Sequence, residues 1–192
     1  MRQTQARCRQ DPCRKLSSLH RISLRLPMTP AFGRRTAVLA ILGAAALTGC
    51  GPRPHLPAFG YTLLDGSRGS EASLRGKVTL VTFWSTDCAP CLAEMPQLVA
   101  TERKFAGRGF QTLAVSMSYD PPALVSAYAE RHRLPFGVAI DSTGSIARSF
   151  GSVDATPTAF LVDKDGTIVR RYLGAPDFEV MGLIVERLLK QG

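Results

Sequence analysis

The stretch from Val78 to Pro96 constrains the fold of this chain more than any other. Its first part, Val78–Trp84, is a continuous run of apolar and β-branched residues, the pattern of a strand buried on both faces of a sheet. A short polar turn follows, and residues 88–91 then read Cys-Ala-Pro-Cys at the start of a segment with helical character. We predict that this helix runs to about Phe105, with a kink at Pro96. Along the rest of the chain, predicted strands and helices alternate and a hairpin ends the sheet, which predicts an α/β sandwich with a mixed sheet.

The two cysteines of this stretch define a candidate reactive site. Cys88 and Cys91 lie three positions apart at a helix start, so they are about one turn from each other and their sulfurs can meet. Free amides and the positive end of the helix dipole favour a thiolate over a thiol there. That is the chemistry of a dithiol that exchanges with other disulfides. The alternatives are two inert core cysteines or half of a zinc site, and zinc would need two further ligands that no second Cys or His pair supplies.

These features resemble a known family. The strand with Phe83-Trp84, the Cys-Ala-Pro-Cys segment and Pro96 are similar to the thioredoxin superfamily, and within it to the membrane-anchored TlpA/ResA-like thiol–disulfide oxidoreductases. The resemblance runs from about Phe59 to the C-terminus. It implies a three-layer α/β sandwich with a mixed sheet flanked by helices, and the inserted helix and strand of the TlpA and peroxiredoxin branches at residues 110–140. It implies no cofactor or metal apart from a redox-active Cys88–Cys91 disulfide.

The resemblance assigns roles to residues of the site. Cys88, nearest the helix N-terminus, is our candidate nucleophile, and Cys91 is the candidate resolving thiol. Thr156-Pro157 resembles the cis-proline loop that faces the cysteine pair and meets the substrate chain, although an ordinary trans loop proline is the alternative. Trp84 is expected to pack under the active-site turn and is also assigned a contact with substrate.

Glu94 is a candidate proton carrier. It lies one helical turn after Cys91 and resembles the acid found at that place in ResA-like proteins, where it helps proton transfer. A partly buried carboxylate with a raised pKa could take the Cys91 proton. The alternative is a solvated helix glutamate.

Two residues depart from the family pattern. Thioredoxins usually carry a buried Asp on the central strand, where this chain has Thr82, which cannot accept a proton at neutral pH. The residue before the first cysteine is usually aromatic, and here it is Asp87. A carboxylate at this place raises the Cys88 pKa and the helix terminus lowers it, so the sequence leaves the net direction open. A higher pKa favours a reductant over an oxidant, and Asp87 could also select substrates by charge.

The first 58 residues read as a leader and an anchor. We predict that residues 1–27 are disordered or precede the true start, and that residues 28–49 are a lipoprotein signal peptide whose apolar run is too short to span a bilayer. Its end resembles a lipobox, so Cys50 would be diacylated, although a plain signal-peptide cysteine is the alternative. Residues 50–58 are predicted to form a Pro-rich tether, followed by the thioredoxin-like domain at 59–192. Either the inner or the outer membrane fits.

The charge of the chain belongs mostly to this leader. Of the net charge of +9, residues 1–49 hold nine Arg and Lys against one acid, and residues 50–192 hold fifteen against fourteen. A nucleic-acid partner therefore loses its main support. By resemblance, the partners are disulfide-containing periplasmic proteins, such as apocytochrome c or copper-site assembly factors, and a membrane thiol donor. We expect a periplasm-facing monomer.

The remaining elements follow from local patterns. Asp120 is predicted to cap a helix that starts at Pro121, with a buried stripe of Leu124, Ala127 and Tyr128. Asp177 is predicted to cap a last helix that runs to about Lys190. Its inward side chains are predicted to be Val180, Met181, Ile184, Val185 and Leu188. The predicted strands are 59–64 at an edge, 110–117, 136–140, 158–162 and 167–172, with a short helix at 145–150.

Two other functions compete with this interpretation. A peroxiredoxin would carry Pro and Thr or Ser at seven and three positions before its cysteine, and Val81 and Ser85 stand there, so the proline is missing. A copper-binding assembly factor would use both cysteines and a distant histidine. His132 is the only histidine of the predicted domain, and a solvated helix end is its simpler interpretation.

Overall fold

The computed structural model describes residues 53–191. Residues 1–52, which include the predicted signal peptide and Cys50, lie outside the described part, so the leader and lipid anchor stay predictions. The strands are β1 Gly60–Thr62, β2 Arg68–Ser70, β3 Val78–Trp84, β4 Phe110–Ser116, β5 Gly137–Ile140, β6 Thr158–Val162 and β7 Ile168–Leu173. The α-helices are α1 Ala89–Phe105, α2 Pro122–His132, α3 Ser145–Ser149 and α4 Phe178–Lys190. Within residues 53–191, no helix combines the length and hydropathy needed to cross a membrane.

The central strand organises a mixed five-stranded sheet. Its strand order is β5-β4-β3-β6-β7, with β3 parallel to β4 and antiparallel to β6. All seven residues of β3 are buried, which confirms the prediction for Val78–Trp84. The predicted insertion is present as α2 and β5, and β5 forms one edge of the sheet, parallel to β4.

Side chains of β3 alternate between two hydrophobic cores. Leu80 and Trp84 join a core with the buried faces of α1, α2 and α4. Phe83 joins a second core with α3 and the N-terminal segment, where its ring meets Phe150 edge-on at 5.3 Å. The sheet is therefore covered on both faces, as the three-layer prediction requires.

The N-terminal strand differs from the prediction. Residues 59–64 do not form an edge strand of the main sheet, because β1 pairs with β2 in a separate antiparallel hairpin. Leu63 and Leu64 reach the main sheet at β5: Leu63 forms a single bridge to Ala139, and the Leu64 N–H donates to the Val138 carbonyl at 3.0 Å. The turn between the strands explains the closure: the Ser67 N–H and hydroxyl both donate to Asp65, which lowers the pKa of that carboxyl, and Gly66 has a φ of 83°.

The ordered domain also begins before the predicted boundary at Phe59. The Leu56 N–H donates to the Gly166 carbonyl at 2.8 Å, and the Ile168 N–H donates to the Pro54 carbonyl at 2.8 Å. Leu56 is buried in the second core. Part of the predicted tether is therefore fastened to the turn between β6 and β7, because an apolar side chain there has a core to enter.

The inner face of α2 is rotated from the predicted one. Val125 is fully buried and Tyr128 and Ala129 are half-buried, whereas Leu124 is 54% exposed and Ala127 is exposed. Apolar residues lie all round this helix, so their spacing did not define one face.

In α4 the buried side chains are Met181, Val185 and Leu188, and Ile184 is half-buried. The prediction for Val180 was wrong, because this residue of the first turn is exposed.

A pair of substitutions tests the face assigned to α2. We expect Val125→Ala to lower the free energy of unfolding by about 2 kcal/mol, because it removes two buried carbon atoms and leaves a cavity. Leu124→Ala removes more atoms but from an exposed side chain, so its effect should stay within about 0.5 kcal/mol. Urea unfolding of both variants measures the difference. Equal losses would show that the helix packs through another face.

Candidate active site

The reactive segment is a tight turn between β3 and α1. The Met117 N–H donates to the Trp84 carbonyl at 3.0 Å, which continues the pairing of β3 and β4 to the start of the turn. Within the turn, the Ser85 hydroxyl donates to the Asp87 carboxylate, and the Cys88 N–H donates to the Ser85 carbonyl at 3.3 Å. The turn is thus held by its own polar groups immediately before the first cysteine.

Cys88 and Cys91 form a disulfide with their Cα atoms 5.2 Å apart. Cys88 is the N-cap of α1, and its sulfur accepts a hydrogen bond from the Cys91 N–H at 3.2 Å. The two sulfurs differ in exposure, because Cys88 is half-buried and Cys91 is completely buried. Only Cys88 can therefore be reached by another protein in this state.

The Thr156-Pro157 loop lies at the same edge of the sheet as the disulfide. Its peptide bond is cis, as predicted. Thr158 at the start of β6 pairs with Phe83 near the end of β3, which brings the loop beside the turn that carries Cys88. Thr156 is half-buried and Pro157 is buried, so Thr156 is the more accessible of the two.

Glu94 is buried in the helix one turn beyond Cys91. It is only 4% exposed, so the alternative of a solvated helix glutamate was wrong. Burial raises the pKa of this carboxyl to about 7. Its Oε2 has no hydrogen-bond partner among residues 53–191. A carboxyl with this pKa can hold or release a proton near neutral pH, which is what a proton carrier beside Cys91 requires.

Trp84 and Thr82 lie inside the protein. The Trp84 side chain has no exposed surface, and its ring centroid is 5.4 Å from that of Tyr128 in α2. It lies in the same hydrophobic core as Cys91, with Cys88 packed against that core, and in this structure it offers no surface for the assigned substrate contact. Thr82, two residues earlier in β3, is also fully buried. Asp87, in contrast, is exposed beside Cys88, where a charged residue can meet an incoming partner.

One contact of the site was missed from the sequence. Asp120 does not cap α2, because Pro121 occupies the N-cap position and the helix begins at Pro122. The Asp120 carboxylate instead accepts hydrogen bonds from the backbone and hydroxyl of Thr86 in the active-site turn. The Asp-Pro pair is a normal helix-start signal, and nothing in the sequence indicates that its carboxylate turns towards a residue 34 positions away.

His132 lies at the exposed end of α2. Its ring stacks on Tyr128, with 4.2 Å between the ring centroids and 27° between the planes. The part of the chain that the structure describes contains no group of three or more His, Cys, Asp or Glu side chains placed to hold a metal ion.

A mixed sheet, a disulfide at the start of the helix after its central strand, and a cis-proline at the same edge define a thioredoxin-like thiol–disulfide protein. The family model described as Redoxin matches residues 54–182. Thiol-disulfide oxidoreductase ResA of Geobacillus kaustophilus is 32% identical over 145 residues, covering 70% of this chain and 82% of that protein.

Further comparisons agree with this assignment. Thiol-disulfide oxidoreductase ResA of Bacillus cereus is 34% identical over 118 residues, which cover 62% of this chain and 67% of that protein. The crystal structure of a thiol:disulfide interchange protein from Chlorobium tepidum superposes with a TM-score of 0.67 at 27% identity, covering 73% of this chain and 99% of that one. The chain belongs to the Redoxin family and, within the thioredoxin superfamily, to the TlpA/ResA-like thiol–disulfide oxidoreductases.

Proposed function

We propose that this protein is an extracytoplasmic reductase, anchored by a lipid on Cys50, that reduces disulfides in selected periplasmic proteins. The observation that carries the exchange chemistry is the unequal burial of the two sulfurs in one disulfide. Cys88 is accessible at the helix N-terminus, and Cys91 is enclosed behind it. Such a pair can form a covalent intermediate through one sulfur and resolve it through the other.

The proposed reaction transfers two electrons from the dithiol to the substrate. The Cys88 thiolate attacks one sulfur of a substrate disulfide, a Cys88–substrate disulfide forms, and the other substrate sulfur leaves as a thiolate that takes up a proton. Cys91 then loses its proton to the Glu94 carboxylate and attacks the Cys88 sulfur. The Cys88–Cys91 disulfide forms, and the second substrate sulfur leaves as a thiolate that is protonated in turn. A membrane thiol donor returns the electrons by the same exchange in reverse.

The charges around the site support the reductase direction. Asp87 is exposed directly before Cys88, and a carboxylate near a sulfur disfavours its thiolate. This negative charge works against the stabilising effect of the helix N-terminus, and destabilising the Cys88 thiolate favours the disulfide form and a stronger reductant. Disulfides persist outside the cytoplasm, so a reductant there acts on chosen substrates. Cytochrome c maturation and copper-site assembly supply substrates of this kind.

The reduction potential of the Cys88–Cys91 pair tests this direction. We expect a value near or below about −200 mV, in the range of reductases. The measurement equilibrates the protein in glutathione buffers and counts alkylated thiols by mass spectrometry. An Asp87→Asn variant serves as a comparison, and its potential should be higher because one nearby negative charge is removed. A wild-type value near about −120 mV would make the protein an oxidant and contradict the proposal.

A further inference from the structure

Asp120 links the inserted part of the fold to the redox-active turn. It lies between the end of β4 and the start of α2, and it is only 4% exposed. Its Oδ2 accepts a hydrogen bond from the Thr86 N–H at 2.7 Å, and its Oδ1 accepts one from the Thr86 hydroxyl at 2.5 Å. Thr86 is two residues before Cys88, so a single carboxylate accepts hydrogen bonds from both donor groups of this residue, its N–H and its hydroxyl.

The Asp120 carboxylate does not make the contacts expected of an aspartate at the start of a helix. A buried charge is costly unless hydrogen bonds compensate for its lost hydration. At the start of a helix, an Asp normally compensates by capping the first free N–H groups. Asp120 leaves them, since the N-cap of α2 is Pro121 and makes no side-chain hydrogen bond. The buried Asp120 carboxylate therefore binds the active-site turn, and α2 has no side-chain cap at its N-terminus.

A second contact joins the same two parts of the molecule. Tyr128, two turns along α2, packs against Trp84 at the end of β3, with 5.4 Å between the ring centroids. Trp84 is the last residue of β3, directly before the turn, and Asp120 accepts two hydrogen bonds from Thr86 within the turn. The segment that carries Cys88 is thus fixed by the insertion at two points, one apolar and one charged.

We propose that Asp120 is a positioning residue for disulfide exchange, which keeps the 85–87 turn in the conformation that presents Cys88 at the helix N-terminus. The inference rests on the exchange chemistry of Cys88 and Cys91, and it is independent of the direction of electron flow. When the disulfide opens, the covalent link across the first turn of α1 is lost. The two hydrogen bonds that Asp120 accepts from Thr86 then hold the turn, so the sulfur of Cys88 stays where attack is in line with its target.

The test compares the two ways of changing this side chain. The reduced protein is mixed with 5,5′-dithiobis(2-nitrobenzoate), a small disulfide, at one fixed pH, and the release of its coloured thiolate gives the rate of attack. Asp120→Ala removes both hydrogen bonds, and we expect attack to slow about tenfold or more. Asp120→Asn keeps an acceptor for the Thr86 N–H and a donor for its hydroxyl oxygen, and should stay within about threefold of the wild type. Thr86→Val removes the hydroxyl alone and should fall between the two.

Asp141 provides a matched control elsewhere in the fold. It is a buried carboxylate at the end of β5, 2% exposed, and accepts hydrogen bonds from the N–H groups of Ile146 and Ala147 at 3.1 and 2.8 Å. Asp141→Ala should lower the thermal unfolding midpoint as Asp120→Ala does, while its rate of attack stays at the wild-type value. This separates positioning of Cys88 from general loss of stability.

Each possible result either supports or contradicts the role of Asp120 in positioning Cys88. Slow attack in Asp120→Ala, recovered in Asp120→Asn and absent in Asp141→Ala, supports the inference. A wild-type rate in Asp120→Ala, or equal losses in the Ala and Asn variants, would overturn it, since the second result would mean that charge alone matters. If Asp120→Ala does not fold, Thr86→Val with Thr86→Ser as its rescue decides instead, and an unchanged rate in Thr86→Val would overturn the inference. A wild-type protein that does not react at all would contradict the proposed function itself.

Discussion

Replacing Cys88 with serine should abolish disulfide exchange, with a loss of about three orders of magnitude or more. The reason is access: Cys88 is half-buried at the start of α1, whereas Cys91 has no exposed surface to attack a partner. Cys91→Ser should keep the first attack and lose the second. It should therefore accumulate a covalent complex in which Cys88 is joined to the substrate.

Non-reducing electrophoresis and mass spectrometry of the trapped complex check both halves of this prediction. The double variant, with both cysteines replaced, is the control for disulfides formed through any other sulfur. The order of events would be reversed if Cys88→Ser trapped the partner through Cys91 while Cys91→Ser stayed free of it. That outcome would require the first turn of α1 to open before exchange.

Glu94→Gln should change how the stability of the protein depends on pH. The pKa of Glu94 is about 7 in the folded protein, whereas the ordinary value for a solvated glutamate, as in the unfolded chain, is 4.5. Between these values the unfolded chain releases the proton that the folded protein retains, so stability falls as pH rises. At about 1.4 kcal/mol per pKa unit, the largest loss is about 3 kcal/mol, complete above the folded pKa. Glutamine is neutral at every pH and escapes this loss.

Urea unfolding of the oxidised protein at pH 4 and pH 8 measures the effect. At pH 4 the wild type and Glu94→Gln should be similar, because the carboxyl is protonated in most folded and unfolded molecules. At pH 8 the glutamine variant should be the more stable by about 2 to 3 kcal/mol. The other titrating groups are common to both proteins and cancel in the comparison. A difference that does not grow between the two pH values would mean that Glu94 does not retain its proton on folding.

The sequence predicted best what depends on neighbouring residues along the chain. The run Val78–Trp84 is buried on both faces because the central strand of a covered sheet has no solvent side. Cys88 and Cys91 meet because three residues make about one helical turn. The cis bond before Pro157 followed from the family resemblance, since local residues alone allow either isomer.

The features that the sequence predicted poorly depend on contacts between distant segments. Asp120 could cap its own helix or bind the active-site turn, and only the packed structure determines that Thr86 is its partner. The sequence did not determine whether the Glu94 side chain is exposed or buried, because its burial depends on how α1 packs on the rest of the domain. Leu56 was predicted to lie in a tether because it stands among prolines, and local sequence does not show that its side chain packs in the second core.

The enclosure of Cys91 behind Cys88 also bears on how the site withstands oxidants. Hydrogen peroxide or hypochlorous acid would meet Cys88 first, and oxidation of its thiolate gives a sulfenic acid. Cys91, one helical turn away and shielded from the oxidant, can condense with that sulfenic acid and expel water. The product is the same disulfide that ordinary turnover forms, so the electron donor of the protein can repair it. An isolated accessible thiol would instead proceed to the sulfinic and sulfonic acids, from which exchange chemistry cannot return it.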